Sequence, residues 1–331
     1  MKLVLYLAAA SVLVAQQPSV SNAKFETRAF SGSLDSAVRS ADPAWFGYEI
    51  ATPQREYNDN YRSCALEDDQ HGQRSGPITP VQLEGSQNAA LLFRVANNQV
   101  EKVRLYSLSC PLDAGGRRFV WLTGVPAESS LVFLEKLTKS GTDHLQDQAI
   151  FAIAQHTTPA ADDVLERLTR PDQPVRSREK ATFWLGASRG ARGVGILKNI
   201  LAQDPSEQVR DKAVFALSIS KQPEAMSYLI QTAEHDSSAH VRGQAIFWLA
   251  QKAGAKAAAT IQNAIENDPD TEVKKKAVFA MSQLPKDEGV PKLIEIARTQ
   301  RNREVRKQAF FWLGQSKDPR ALAFFEQVLT K

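Results

Sequence analysis

The sequence predicts a mainly α protein. An α-solenoid of about six helical pairs fills residues 126–331, and a small β-rich module precedes it over residues 24–125. Three observations predict this. Alanines recur at 149, 181, 213, 245, 277 and 309, a constant spacing of 32 without insertion or deletion. A phenylalanine follows each by two residues: Phe151, Phe183, Phe215, Phe247, Phe279 and Phe311. Five residues after each alanine stands a small side chain: Ala154, Gly186, Ser218, Ala250, Ser282 and Gly314. Self-similarity at one fixed period marks stacked repeats, which must pile up because a single helical pair cannot bury its apolar face.

At the start of the chain, Met1-Lys2 gives a short basic opening. Leu3 to Ala15 follows as an unbroken run of apolar and small residues. Thirteen residues fall short of the roughly 20 needed to span a bilayer. The run suits the core of a secretory signal peptide. Ser21-Asn22-Ala23 places small residues for cleavage after Ala23, so residues 1–23 are read as a signal peptide. The mature chain is then exported, to a periplasm, a cell surface or the medium. No stable membrane insertion is expected after cleavage.

Residues 24–125 do not repeat. They are rich in Ser, Asn, Gln, Gly and Pro, with aromatics at Trp45, Phe46, Tyr48, Tyr57 and Tyr61. Ala90–Ala96 reads as a strand, Asn97-Asn98 as a tight turn, and Val100–Leu108 as the returning strand. Arg118–Thr123 is a third strand after Gly115-Gly116, and residues 51–88 read mostly as loop. The two cysteines, Cys64 and Cys110, form an even pair in an exported chain and read as a disulfide, the alternative being two buried thiols. The module is expected either to cap the N-terminal end of the solenoid or to act as a separate recognition domain.

Within each repeat the spacing is helical. Val209, Ala213 and Leu217 form one stripe, repeated by Val241-Ala245-Leu249 and Val305-Ala309-Leu313. A second helix follows a short polar break. Its apolar face is carried by Leu165/Leu168, Leu197/Ile200, Leu229, Ile261/Ile265, Leu293/Ile296 and Phe325/Val328. Pro159, Pro223 and Pro319 stand ten residues after the repeat alanine. There the first turn of a helix tolerates a missing N–H. A single helix near residues 318–330 is expected to end the array.

The segments Val209-Arg210-Asp211-Lys212-Ala213, Val241-Arg242-Gly243-Gln244-Ala245 and Val305-Arg306-Lys307-Gln308-Ala309 resemble the V-R-x-x-A signature of HEAT repeats. The closest type is the short-period class first named for phycobiliprotein lyases. The resemblance covers residues 128–331 and implies a right-handed solenoid. It also implies a structural ladder: an acid six residues before each basic residue caps a turn and bonds the arginine of neighbouring units. The candidates are Asp172/Arg178, Asp204/Arg210, Asp236/Arg242 and Asp268/Lys274. Gln300 stands before Arg306 and departs from the pattern, as does Ser177 where valine is expected.

By the same resemblance, the V-R-x-x-A helix lies on the inner, concave side. The residue after each phenylalanine alternates: Ala152, Trp184, Ala216, Trp248, Ala280, Trp312. Polar residues flank this row, with Asp147, Glu179, Asp211 and Lys275 on one side and Gln155, Gln251, Gln283 and Gln315 on the other. Two readings stay open. The rings interdigitate with alanines as packing, or they line a groove for an extended peptide or a sugar chain.

Chemistry-bearing motifs are sparse. His71, His144, His156, His235 and His240 have no metal-site spacing. There is no G-x-S-x-G, H-E-x-x-H or phosphate loop, and the repeated His-Glu pairs of the hydroxylase branch of the family are missing. Asp113 is the one loop carboxylate singled out, and a turn-forming role suits it. The formal charge of +4, from 41 basic and 37 acidic residues, is weak for a nucleic-acid binder. The expectation is an exported protein- or peptide-binding scaffold with no cofactor, no metal and no nucleic-acid partner. A glycan-binding module on the same rows is the alternative, and a lyase-like enzyme a further one.

Overall fold

A computed structural model describes residues 17–53, 64–67 and 88–330. The apolar run Leu3–Ala15, His71, Tyr57 and Tyr61 lie outside the described residues. The chain divides into two compact units, Met1–Ala160 and Ala161–Lys331.

The first unit is a sheet with helices on it. Its elements are β1 (Val20–Ala29), α1 (Leu34–Ala37), β2 (Ala44–Ala51), β3 (Cys64–Ala65), β4 (Asn88–Ala96), β5 (Gln99–Ser107), β6 (Leu112–Thr123), α2 (Ala127–Leu137) and α3 (Asp143–Ala154). The strand order is β1-β6-β2-β4-β5, with β3 beside β6. The β4–β5 hairpin turns at Asn97 and Asn98, both at positive φ, as a tight two-residue turn requires.

Three strands go beyond those expected from the sequence: β1, β2 and the two-residue β3, which lies in the segment read mostly as loop. β2 is the central strand, antiparallel to β4 and parallel to β6. A strand buried on both faces shows a continuous apolar run rather than alternation, and Ala-Trp-Phe-Gly-Tyr is such a run. Gly47 is required within it, because a Cβ there would meet Leu92 Cδ2 at 2.4 Å. β1 runs parallel to β6 from Val20↔Leu112 to Ala29↔Thr123. The cleavage point expected after Ala23 therefore falls inside a paired strand.

On one face of the sheet, Trp45, Leu66, Leu92, Phe119 and Trp121 pack with both cysteines. Cys64 and Cys110 form a disulfide. Glu67 accepts a hydrogen bond from Trp45 Nε1 at 2.8 Å and pairs with Arg94 at 3.1 Å. The opposite face takes α2: Phe93 meets Phe133 edge-on at 5.3 Å and stacks on Tyr48 at 5.6 Å. Gln148 of α3 accepts from Val103 N at 2.9 Å. These contacts carry α2 and α3 into the first unit. The division thus falls at residue 160 rather than at the composition change near 125.

The second unit holds α4 (Ala160–Leu168), α5 (Val175–Ser188), α6 (Gly190–Gln203), α7 (Glu207–Ile219), α8 (Ala225–His235), α9 (Ala239–Ala253), α10 (Ala258–Asn267), α11 (Thr271–Ser282), α12 (Lys286–Thr299), α13 (Arg303–Gln315) and α14 (Pro319–Leu329). The odd-numbered helices from α5 to α13 pack side by side, each on the next. The repeat alanines from Ala181 to Ala309 are wholly buried at these contacts. Gly186 marks the closest approach, since a Cβ there would meet Ala216 O at 2.2 Å. The expected apolar residues of the even-numbered helices are buried from Leu165 to Ile296.

The last helix differs from expectation in two respects. α14 packs on both α12 and α13, so it is the second member of a pair and not a lone helix. Its buried residues are Ala321 and Phe324, whereas Val328 is 46% exposed and Phe325 half-buried. Phe324 turns inward because Phe310 receives it at 5.5 Å and the Arg298 guanidinium lies over its ring.

Candidate docking surface

The aromatic rows come together in the second unit as one continuous chain of rings. Phe183 and Phe215 stack at 6.1 Å, and Phe247 and Phe279 at 6.2 Å. The tryptophans join these pairs. Trp248 lies 5.0 Å from Phe215 and 4.9 Å from Phe247, and Trp312 lies 4.8 Å from Phe279 and 5.0 Å from Phe311. Trp184 meets Phe183 edge-on at 4.9 Å. The order is therefore Trp184, Phe183, Phe215, Trp248, Phe247, Phe279, Trp312, Phe311, across five helices. Phe151 is half-buried on α3, in the first unit.

The rings are neither core nor free. Each is half-buried except Phe311, which is 54% exposed at the end of the row. Ala216 and Ala280, where the tryptophan is missing, are fully buried. Large and small side chains thus alternate at the helix contacts, as interdigitated layers require. Ring pairs at these separations contribute about 0.5–1.5 kcal/mol beyond burial. Gln251, Gln283 and Gln315 lie exposed beside the row, whereas Gln155 is buried in the first unit.

The acid–base residues form a separate ladder. Arg242 grips Asp268 with two hydrogen bonds, at 2.7 and 3.0 Å. Arg210 grips Asp236 in the same way, at 3.0 and 3.2 Å. Arg178 lies 3.3 Å from Asp204, both side chains buried. Each arginine thus reaches the acid of the following repeat. Arg210 and Arg242 also donate to the carbonyl of the acid six residues earlier, both at 2.9 Å. Asp204, Asp236 and Asp268 each accept the backbone N–H two residues on, at 2.8 Å. That fixes the turn before the next helix.

The ladder stops where a partner changes type. Lys274 donates to Glu266 O at 2.8 Å, because Gln300 replaces the acid its register position would meet. Arg306 caps Gln300 O at 2.6 Å instead. Asp172 is exposed and accepts from Gln173; its register partner would be Gln146. Asp113 accepts from Gly115 N at 2.9 Å and Asn22 at 3.2 Å, a turn contact beside the bulge of β6.

Two features escaped the sequence. In the first unit, Tyr48, Ser130 and His156 form a buried hydrogen-bonded chain: Tyr48 Oη to Ser130 Oγ at 2.7 Å, and Ser130 Oγ to His156 Nε2 at 2.9 Å. His156 Nδ1 closes on Ala152 O at 2.8 Å. Burial pushes the Tyr48 phenol above its ordinary value, with the Ser130 bond opposing it. In the second unit, a 450 Å³ cavity lies between α6 and α8. Arg210 and Asp236 line it, and the Lys198 ammonium sits over the Tyr228 ring at 5.6 Å. Neither arrangement has a sequence spacing that announces it. Among the described residues no cluster of His, Cys, Asp or Glu could hold a metal ion, and no helix is long and apolar enough to cross a membrane.

Among solved structures, the chain is similar to human deoxyhypusine hydroxylase in complex with glycerol. The identity is 17% and the TM-score 0.33, over 60% of this chain and 89% of that one. It is similar to the complex of CpcE and CpcF of phycocyanin lyase from Nostoc sp. PCC7120, at 20% identity and a TM-score of 0.33, over 58% and 80%. It is also similar to the Schizosaccharomyces pombe condensin Cnd3–Cnd2 subcomplex, at 18% identity and a TM-score of 0.38, over 57% and 27%. None of these likenesses bears on activity. No curated protein matches the chain in sequence. The profile of HEAT repeats matches residues 162–250, 227–309 and 258–331. Those segments together span more than half the sequence, and the chain belongs to the HEAT-repeat family.

Proposed function

We propose that this protein is a non-catalytic, exported binding scaffold whose ring-bearing helices dock an extended protein or peptide segment. One observation carries the reading: eight aromatic rings form a half-exposed row across the five odd-numbered helices from α5 to α13, edged by exposed glutamines. A row of this kind offers apolar contact along its length and amide groups that can bond a peptide backbone. Aromatic anchors with a polar rim are the usual makings of a protein interface.

The ring geometry favours a peptide over a sugar. Sugar rings pack on open aromatic faces. Here the phenylalanine faces are taken up by one another, at interplanar angles of 14° and 8°. Export rests on the apolar run Leu3–Ala15 and is supported by the Cys64–Cys110 disulfide, a bond that persists in oxidising compartments.

The test is capture from an envelope extract, with wild-type chain and a Phe215→Ser/Trp248→Ala variant as baits. Circular dichroism first establishes that the variant is folded. A partner held by wild type and lost by the folded variant is the expected result. Equal capture by both baits would overturn the reading.

A further inference from the structure

A repeat array with a two-repeat period contains its own controls. A side chain present in one repeat reveals what the vacant place of its counterpart, 64 residues on, is shaped to hold. Lys252 is such a side chain. It follows Trp248 by one turn of α9, and its Nζ donates to Ser218 O at 2.8 Å and Ser220 O at 2.5 Å. These carbonyls belong to the end of α7 and its C-cap. There the last carbonyls lack helical partners and the helix dipole favours a cation. The ammonium of one repeat is thus bound by the helix end of the repeat before it.

Sixty-four residues later, Trp248 becomes Trp312, Ser218 becomes Ser282, Ser220 becomes Leu284, and Lys252 becomes Ser316. The short Ser316 side chain turns back on its own helix and donates to Leu313 O at 2.9 Å. A cavity of 160 Å³ opens here, with Ser282, Leu284, Leu293, Trp312 and Ser316 in its wall. Leu284 O lies 3.5 Å from where a Cβ on Gly289, another wall residue, would stand. Trp312 Nε1 is buried with no hydrogen-bond partner, and an unmet buried donor is costly. Lys286 also borders the cavity.

We infer that this cavity receives the ammonium group of a lysine side chain from a bound polypeptide. The carbonyls of Ser282 and Leu284 accept its N–H groups, as those of Ser218 and Ser220 accept from Lys252. Trp312, in the cavity wall, reports occupancy of the site through its indole N–H. The inference rests on the docking surface proposed above, since Trp312 belongs to the ring row, and it assigns that surface a lysine-bearing partner.

The probe is the peptide acetyl-Gly-Lys-Gly-amide, set against the same peptide with norleucine, which keeps the four-carbon chain and lacks the ammonium. The readout is the Trp312 indole N–H resonance in nitrogen-15 NMR spectra of the full chain, assigned with Trp312→Phe. The lysine peptide should shift that resonance to saturation. The norleucine peptide should bind about tenfold more weakly, the loss of one charge-assisted hydrogen-bond set. Ser316→Lys supplies from within the ammonium that the earlier repeat already has. It should abolish the response while the melting temperature stays at or above wild type. Ser316→Met fills the same space without charge and should also block the site.

Equal binding of the two peptides, or an undiminished response in folded Ser316→Lys, would overturn the inference. If neither Ser316 variant folds, the peptide pair on wild type still decides. The two readings fail separately. A silent lysine peptide alongside partner capture that needs Phe215 and Trp248 removes the pocket and leaves the row. Capture that survives Phe215→Ser/Trp248→Ala removes the row itself.

Discussion

The two units of this chain are held together by contacts of opposite range. In the first, Val20 pairs with Leu112 and Cys64 is bonded to Cys110, so its order depends on segments far apart in sequence. In the second, arginine meets aspartate 26 residues on, and ring meets ring in the adjacent repeat. A repeat array gains its stability from each unit and its nearest neighbours. A sheet with central parallel strands gains nothing until remote strands have met. The difference predicts where each unit is vulnerable: the first at a single cross-link, the second at any one rung.

The largest effect is expected at the cross-link. Replacing both Cys64 and Cys110 with alanine frees a closed loop of 46 residues' separation. The loop-entropy relation puts the cost at about 4 kcal/mol. Hydrogen exchange resolved by residue should show β4, β5 and β6 opening that much more readily, with α7 to α13 unchanged. Equal loosening of both units would break the distinction between them.

The same difference in range decides how much of each unit is legible in the amino-acid sequence. The repeats are legible because each one restates its neighbours: six alanines at one spacing fix the helices, the register and the pairing. The hairpin β4–β5 is legible because its turn is local. β2 is not, because a central strand writes no alternation, and its partners lie tens of residues away. β1 is obscured by the small residues that suggest cleavage after Ala23. In the candidate surface, the residue types of the ring row are readable, but their degree of exposure is not. That depends on how closely neighbouring helices approach, which Gly186 and Ala216 set by backbone contact. Lys252 carries a faint signal, a lone cation at a position held elsewhere by His156, Ser188, Ser220, Leu284 and Ser316. Nothing in that row says that its ammonium reaches Ser218 and Ser220.

A smaller effect is expected at one rung. Asp268→Ala leaves the buried Arg242 guanidinium without its bidentate partner. It also frees Asp270 N, which Asp268 holds at 2.8 Å. Removing one member of a buried pair costs about 3 kcal/mol, mostly from the charge left behind. Urea unfolding followed by helical circular dichroism should show this loss. Exchange should concentrate it in α9 to α11 and spare the sheet. Arg242→Met/Asp268→Leu should recover part of the stability, since two apolar side chains leave no stranded charge. A double variant no better than Asp268→Ala would mean that the turn bonds, not the ion pair, hold the rung.

The smallest effect is confined to the last helix. Asp318 caps α14 by accepting from Arg320 N at 2.9 Å, and its carboxylate also holds the Arg320 guanidinium. The hydrogen bond from that guanidinium, followed by the backbone bond, holds its pKa at about 2, below the ordinary 3.8. A carboxylate whose folded value is depressed releases its proton more readily when native. Its contribution is therefore complete above pH 3.8 and is lost as pH falls toward 2. Exchange at residues 321–329, corrected for intrinsic rate, should accelerate over that window. Asp318→Asn keeps an acceptor for the cap, as asparagine is an equally good N-cap, but removes the titrating charge. It should flatten the pH dependence there while leaving α7 to α11 unchanged. Persistence of the acid-dependent opening in Asp318→Asn would assign it to another carboxylate. It would also show that the end of the array is held by its neighbours, as the interior is, and not by its own cap.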